Sequence, residues 1–308
     1  MKTISIKDTP LKENTACSIG NFDGFHEGHL KVLETLKKEA KERNLKTVVV
    51  SFNPHPREVF TGQTLCKITN LETKKEFLKK LGIDYFLVIS FTKEFAKKTP
   101  DEFIDFLKNN LNCKLVVVGK DWKFGKDKKG DINYLKNFIE VIPVKKVLLN
   151  KDKLGSSVLR KLLKEGNIEK INKLINRIYY IKGKVVKGRG LGKKLGFPTI
   201  NVEPQENLCL KYGVYAGFIE INGKIYKSAI NFGVKPTFEG KNPLIEAHII
   251  QNFHEESNQD FAKVYFIKYI REEKKFESLE KLRNQILMDV KKIGEILNEE
   301  SYKFSSSF

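Results

Sequence analysis

Cysteine is scarce in this chain: four residues, Cys17, Cys66, Cys113 and Cys209, among 308. Their spacing matches no metal site, and Cys17 and Cys113 adjoin apolar, strand-like runs. All four are expected as buried free thiols in a reducing cytosol. Long apolar runs are missing as well. None approaches the ~18 residues that span a bilayer, and the opening MKTISIKDTP has no signal-peptide core, so a cytoplasmic protein without a membrane span is expected. Acidic residues are outnumbered, 38 Asp and Glu against 57 Lys and Arg, for a formal charge of +19. That balance would suit a nucleic-acid binder. The excess is lysine spread along the chain, however, with no basic arm and no interleaving of basic and aromatic residues. A solvated lysine surface is expected instead, with no nucleic-acid partner.

What is present argues for packed interiors: 40% of the residues are hydrophobic, too many for a disordered chain. The length suits two domains better than one. Strands alternate with helices up to residue 177, and period-two alternation with frequent turns takes over from Tyr179. The expected domains are 1–178 and 179–308.

The stretch around which the first of these is organised is GNFDGFHEGH, Gly20 to His29. A short apolar run (Ala16, Cys17, Ile19) precedes it, and Leu30, Val32, Leu33, Leu36 and Ala40 follow at helical spacing. Strand, glycine-marked turn and helix place unpaired amides and a positive helix end beside a strand's carboxyl edge, where phosphate binds well. His26 and His29, two of only five histidines, lie three apart on one helical face and can donate to a phosphate whose charge grows during displacement. A pair of surface histidines is the plain alternative. A zinc site is not supported, because HEGH lacks the HExxH spacing.

Further along, Thr47 to Phe52 reads as a central parallel strand and ends in NPHPREVF, with His55 and Arg57 on a proline-stiffened loop. Strands are expected at 85–89, 115–118 and 141–144, with helices at 73–81, 100–109 and 132–139. That alternation implies a doubly wound parallel sheet with ligands at the carboxyl ends of its strands. One such end is Val118 to Gly125, VGKDWKFG, where Asp121 can bond a hydroxyl, and Trp122 or Phe124 can either cover a ring or simply pack. Another is LGSSVLR, in which Ser156 or Ser157 caps a helix and Arg160 offers a fork to phosphate oxygens.

GNFDGFHEGH resembles the GxFDGxHxGH signature of the FMN adenylyltransferase module of bacterial bifunctional riboflavin kinase/FAD synthetases. NPHP, VGKDWKFG and LGSSVLR resemble that module's later segments in order, with Gly155 standing where the family has a first serine. The resemblance implies adenylyl transfer from ATP to FMN, releasing pyrophosphate. It places His26 and His29 at the α-phosphate, Ser156, Ser157 and Arg160 at the leaving pyrophosphate, and Gly20, Phe22, Asp23 and Asp121 among the nucleotide-binding residues.

In the second half, strands are expected near 179–187, 213–221, 224–232, 243–250 and 261–271, with an Asn222-Gly223 hairpin turn. Such short antiparallel strands suggest a small barrel. The last element, Leu279 to Leu297, reads as an amphipathic helix capped by Ser278. In KGRGLGKKLGFPTIN, Gly188, Gly190 and Gly192 with Lys193 can cradle phosphate. Thr199 and Asn201, two apart on a strand, face one side and can complete a Mg²⁺ shell. Taken singly, a turn and a strand threonine are the ordinary readings. The whole string resembles the riboflavin kinase signature GxGxGxxLGFPTxN, and NFGVKPT, IEAH and IR with Phe276 resemble its later motifs. The resemblance implies that Glu246 takes the proton from the ribityl 5′-hydroxyl, and that Asn231 and Arg271 belong to the flavin site. Ala262 stands where the family's flap has a glycine, which would strain the flap if that position needs positive φ.

The fold expected from residues and resemblance together is α/β plus β. It pairs an N-terminal parallel-sheet nucleotidyltransferase domain with a C-terminal antiparallel barrel carrying a terminal helix. The implied small molecules are riboflavin, FMN, FAD, ATP and Mg²⁺, handled by a monomer or weak homo-oligomer. One alternative keeps the adenylyltransferase with another acceptor and a flavin-binding barrel, in which case kinase activity is absent. Another is a basic RNA binder, which would show salt-sensitive RNA affinity indifferent to ATP and FMN.

Overall fold

Continuous β-branched runs bury both faces of a strand, and they build the first unit. A computed structural model describes residues 1–145, 148–149, 152–153, 155–188, 190–237, 240–251 and 260–299. Of the expected features, Leu154, Arg189 and flap residues 252–259 lie outside these. Two compact units form, one from Met1–Leu65 and Lys74–Ser156, the other from Cys66–Thr73 and Ser157 onward.

The first unit contains β1 (Lys2–Ile4), β2 (Thr15–Ile19), β3 (Lys46–Asn53), β4 (Tyr85–Ser90), β5 (Cys113–Gly119) and β6 (Glu140–Val144). All pairings are parallel, in the order β1-β4-β3-β2-β5-β6. Chain order reverses between β2 and β5, so the crevice for a ligand opens at the carboxyl ends of those two strands. Val48, Val49, Val50, Val116 and Val117 are fully buried, each contributing roughly 1.5–3 kcal/mol. Helix α1 (Glu27–Glu42) packs with Val32, Leu33, Leu36 and Ala40 inward, the i, i+1, i+4, i+8 pattern of a single apolar face.

Three expectations change here. The helix over 132–139 stops after one turn, Ile132–Leu135. The one over 100–109 starts as expected on Thr99 and Pro100, with α2 at Pro100–Asp105, and widens into a π-turn over Phe106–Asn110. The edge strand β1 was not foreseen; three residues are too few for a period to show.

The second unit is a closed six-stranded barrel of β7 (Tyr179–Val186), β8 (Thr199–Glu203), β9 (Gly213–Ile221), β10 (Lys224–Thr237), β11 (Gly240–Ile249) and β12 (Phe261–Arg271). Its order is β7-β8-β11-β10-β9-β12, antiparallel throughout. Closure leaves no exposed sheet edge. Asn222 and Gly223 take φ of 48° and 76°, the two left-handed positions of the tightest hairpin turn. Further helices are α3 (Ser156–Glu165), α4 (Ile168–Ile175) and α5 (Leu279–Glu299). Ile293 and Leu297 of α5 join a cluster with Tyr180, Val214, Phe218 and Ile267. Ala262 is a buried strand residue paired with Gly183, and it is not among the residues at positive φ. The strain expected of it does not arise.

Residues 66–73 belong to the barrel unit although the sequence places them among sheet elements. Lys67 bridges Leu208, with Lys67 N–H donating to the Asn207 carbonyl at 2.8 Å and Cys209 N–H to the Lys67 carbonyl at 2.8 Å. The Tyr179 hydroxyl donates to the Ile68 carbonyl at 2.6 Å, and Asn70 Nδ2 to the carbonyls of Lys182 and Pro204 at 2.6 and 2.8 Å. This bridge aligns Cys66 with Cys209, which form a disulfide across 143 residues. The expectation of four free thiols is therefore corrected: Cys17 and Cys113 are free and buried, and the other two are joined. Spacing along the chain cannot reveal a pair brought together by a non-local bridge.

Candidate active sites

The first site follows β2. Gly20 N–H donates to the Val50 carbonyl at 3.0 Å, and then Phe22, Gly24 and Phe25 take φ of 46°, 92° and 38°. Two phenylalanines in left-handed backbone cost free energy. Burial holds them: Phe25 is fully enclosed and stacks on Phe77 at 4.2 Å. The loop ends on His26, the N-cap of α1, whose Nδ1 accepts from His29 N–H at 3.4 Å. The His26 and His29 rings stack at 3.7 Å with planes 20° apart, and Phe22 meets His29 edge-on at 5.3 Å. A Cβ on Gly28 would sit 3.2 Å from the His26 ring, so the small residue lets that ring lie over the first turn. Asp23 is buried, and its carbonyl accepts the Ser156 hydroxyl proton at 2.8 Å.

Other expected residues divide. Asp121 stands exposed in the turn after β5, at the same switch point as Gly20. Trp122 stacks on Phe124 at 4.8 Å and reaches Phe103 at 6.4 Å, so packing accounts for both. Ser157 and Arg160 lie in α3, Ser157 exposed. Arg160 Nε donates to the Cys66 carbonyl at 3.3 Å. His55 caps the short helix Pro56–Thr61, its Nδ1 accepting from Arg57 N–H at 3.1 Å while Glu58 accepts from His55 N–H at 2.8 Å. A row of rings at the ends of β3 and β4 was missed. Phe91 lies 5.4 Å from Phe52, 5.9 Å from Phe60 and 5.6 Å from Phe95, and Phe60 is 69% exposed. Aromatic residues recurring at strand carboxyl ends were the available signal.

The second site lies on the barrel. Antiparallel register sets Asn201 of β8 directly opposite Glu246 of β11, and Glu246 directly opposite Asn231 of β10. Opposed residues point to one side of the sheet, so the three form a row, with Thr199 opposite His248 beside them. His248 Nδ1 lies 2.9 Å from the Pro198 carbonyl, and its ring meets Phe197 edge-on, fixing the entry to Thr199. The glycine loop folds onto this row. A Cβ on Gly188 would lie 2.3 Å from Asn201 Nδ2, and one on Gly192 would lie 2.4 Å from the Phe197 carbonyl and 3.4 Å from Thr199 Oγ1. Phe197 N–H closes the loop on the Gly192 carbonyl at 2.7 Å. Gly190 turns at φ 72°, and Lys193 lies exposed on the short helix Leu191–Lys194.

Asn201 is buried, its Nδ2 donating to the Thr199 carbonyl at 3.4 Å while Oδ1 has no hydrogen-bond partner among the described residues. An orphaned buried oxygen is costly unless something outside the chain completes it. Asn231 Nδ2 donates to Glu273 Oε1 at 3.1 Å. Arg271 is committed elsewhere: Nε lies 3.1 and 3.0 Å from the Asp289 carboxylate oxygens, Nη2 lies 2.6 Å from Oδ2, and Nη1 donates to the Glu272 carbonyl at 2.8 Å. It ties β12 to α5.

Comparison with known proteins matches a different family model to each half of the chain. The FAD synthetase family profile matches residues 8–158 and the riboflavin kinase profile residues 175–297. A bifunctional riboflavin kinase/FMN adenylyltransferase from Buchnera aphidicola is 35% identical over 299 residues, covering 94% of this chain and 96% of that one. The chain belongs to the bifunctional riboflavin kinase/FMN adenylyltransferase family. A member from Bacillus subtilis is 36% identical over 304 residues, again covering 94% and 96%. The crystal structure of a macrolide-efflux protein from Streptococcus pneumoniae is 29% identical with a TM-score of 0.77, over 94% of this chain and 97% of that one. Efflux describes that protein. Among the described residues here, no helix is long and apolar enough to cross a membrane.

Proposed function

We propose that this family member makes FMN from riboflavin and then FAD from FMN, using two ATP. The observation that carries the reading is Glu246 standing in register between Asn201 and Asn231. The ribityl 5′-oxygen attacks the γ-phosphorus of ATP, its proton passes to Glu246, and ADP leaves. A carboxylate orients that hydroxyl and removes its proton as the bond forms. The glycine loop, closed against Thr199 and Asn201, holds the polyphosphate, with Lys193 adding positive charge. Thr199 Oγ1 and Asn201 Oδ1 suit a hard cation, and the orphaned Oδ1 supports Mg²⁺ there. When bound, the ion neutralises charge on the phosphates. Asn231 contributes to the flavin site directly, and Arg271 contributes by holding α5 through Asp289.

In the other reaction the FMN phosphate attacks the α-phosphorus of a second ATP and pyrophosphate leaves. Phosphate is already nucleophilic, so positioning and charge stabilisation supply the rate. His26 and His29 serve the α-phosphate, Gly20, Phe22, Asp23 and Asp121 the nucleotide, and Ser156, Ser157 and Arg160 the leaving pyrophosphate. The Ser156 hydroxyl proton is held by the Asp23 carbonyl in the structure, so Ser157 is the freer donor. The ring row around Phe91 offers the isoalloxazine an apolar surface. The functional division near residue 178 and residence in the cytoplasm belong to the same proposal.

Incubating pure protein with riboflavin, ATP and Mg²⁺ and separating the flavins by chromatography tests the assignment. FMN followed by FAD is expected. FAD formed only when FMN is supplied would instead leave the barrel as a flavin-binding module.

A further inference from the structure

His248 lies on β11 and has no part in the chemistry above. Ile245, Ala247 and Ile249 of that strand are buried, so Glu246 and His248 stand together on its other face. Directly opposed residues share a face, and the register sets His248 against Thr199 as it sets Glu246 against Asn201. One strand thus carries the proposed base and, two residues on, a half-buried imidazole beside a proposed cation ligand.

The ring acts on the residue that precedes Thr199. Its Nδ1 lies 2.9 Å from the Pro198 carbonyl oxygen, a contact across 50 residues of sequence. A carbonyl only accepts, so Nδ1 carries the hydrogen and donates it. The peptide unit is planar, and a bond to the Pro198 carbonyl fixes the plane that also holds the nitrogen and Cα of Thr199. Proline restricts φ on one side of that unit. Thr199, branched at Cβ, has few rotamers on the other. The direction of Thr199 Oγ1 therefore follows from the plane.

The glycine loop is held separately. Phe197 N–H donates to the Gly192 carbonyl at 2.7 Å, and the His248 ring meets Phe197 edge-on at 5.4 Å with planes 84° apart. Removing the Nδ1 hydrogen would release the Pro198–Thr199 peptide and leave the loop closed.

We propose that His248 is a positioning residue for the kinase: through the Pro198 carbonyl it aims the Thr199 hydroxyl at the cation that accompanies ATP. This rests on the reading of Thr199 as a cation ligand. β11 then sets both halves of the site, the proton acceptor through Glu246 and the cation through His248.

ADP binding to the full chain is measured by calorimetry with Mg²⁺ and with a chelator, FAD being present to occupy the adenylyltransferase with its own product. Kinase kcat and KM for ATP are read alongside, with FMN-to-FAD conversion as the control for folding. His248→Ala is expected to lower Mg²⁺-dependent ADP affinity and kinase kcat/KM for ATP about tenfold, as loss of a group that orients a metal ligand does. Metal-free ADP affinity is expected to stay unchanged. His248→Asn puts an amide N–H where Nδ1 was and is expected to recover most of the loss. His248→Gln carries its donor one bond further out, and His248→Phe keeps the ring on Phe197 without a donor; both are expected to stay low. His248→Phe that matches the native chain, or metal-free affinity that falls in step with the Mg²⁺-dependent one, reduces the contact to packing and overturns the proposal. Thr199→Ala that keeps the full Mg²⁺-dependent gain overturns the reading beneath it, and the proposal with it.

Discussion

Asn201 and Glu246 face each other across β8 and β11 in direct register, joining the residue suited to a cation to the residue suited to a proton. A sheet fixes such a pair more firmly than a loop would, because slipping by one residue turns every side chain to the opposite face. In the proposed assignment the two reactions draw on separate sets of side chains, so their losses should separate.

Glu246→Gln should reduce FMN formation by about a hundredfold or more and leave FMN-to-FAD conversion unchanged. His29→Ala should do the reverse, with a loss of about 10²–10³ in FAD formation. Coupled chromatography of both products checks this, and both activities surviving in either variant would refute the allocation.

Gly188→Ala tests the closeness of the glycine loop to Thr199 and Asn201. The added methyl would fall 2.3 Å from Asn201 Nδ2, so either the loop or the asparagine must shift. A displacement near 1 Å costs about a hundredfold when geometry is critical. Kinase kcat/KM should fall by about that factor at saturating Mg²⁺ while adenylyl transfer persists; an unchanged kinase would show that the loop does not hold ATP.

The Cys66–Cys209 disulfide should be countable. Two thiols are expected to react in denaturant before reduction and four after. Closing so long a loop stabilises the folded state by about 3–5 kcal/mol in the chain-entropy description. Cys209→Ser should therefore lower the denaturant midpoint. Four reactive thiols in the unreduced protein would show that the bond does not form.

Acid should expose Asp84. Burial alone would raise this carboxyl, but Thr47, donating through N–H at 2.9 Å and Oγ1 at 2.8 Å, and Lys46 together bring it below its usual 3.8. Its folded value lies below its unfolded one, so the stabilisation is present above the unfolded value and is lost as pH falls through the folded one. Asp84→Asn should lower stability at pH ~7, and the deficit should shrink below pH ~4. Urea unfolding at the two pH values measures it, and a constant deficit would contradict the linkage.

Much of this was legible because the relevant signals are local. Asn222-Gly223 fixes its hairpin, Thr99-Pro100 starts its helix, and the spacing of Thr199 and Asn201 puts both on one strand face. The histidine pair could be placed on a helix start from its glycines alone. The contacts that no local pattern carries were not legible. Glu273 touches Asn231 from 42 residues away, Arg271 turns to Asp289 rather than outward, and Cys66 meets Cys209 through a two-bond bridge. Phe22 and Phe25 in left-handed backbone are strained choices that only the finished packing explains, Phe25 on Phe77 and Phe22 against His29.

Residues 66–73 dock on the barrel by bonding Tyr179, Lys182 and Pro204. A single truncation therefore leaves the barrel half without contacts that the whole chain makes. A kinase fragment beginning at Tyr179 would lack an octapeptide encoded more than a hundred codons upstream, and an adenylyltransferase fragment would carry that octapeptide with nothing to bind. Supplying that stretch to the barrel fragment as an added peptide would restore those contacts.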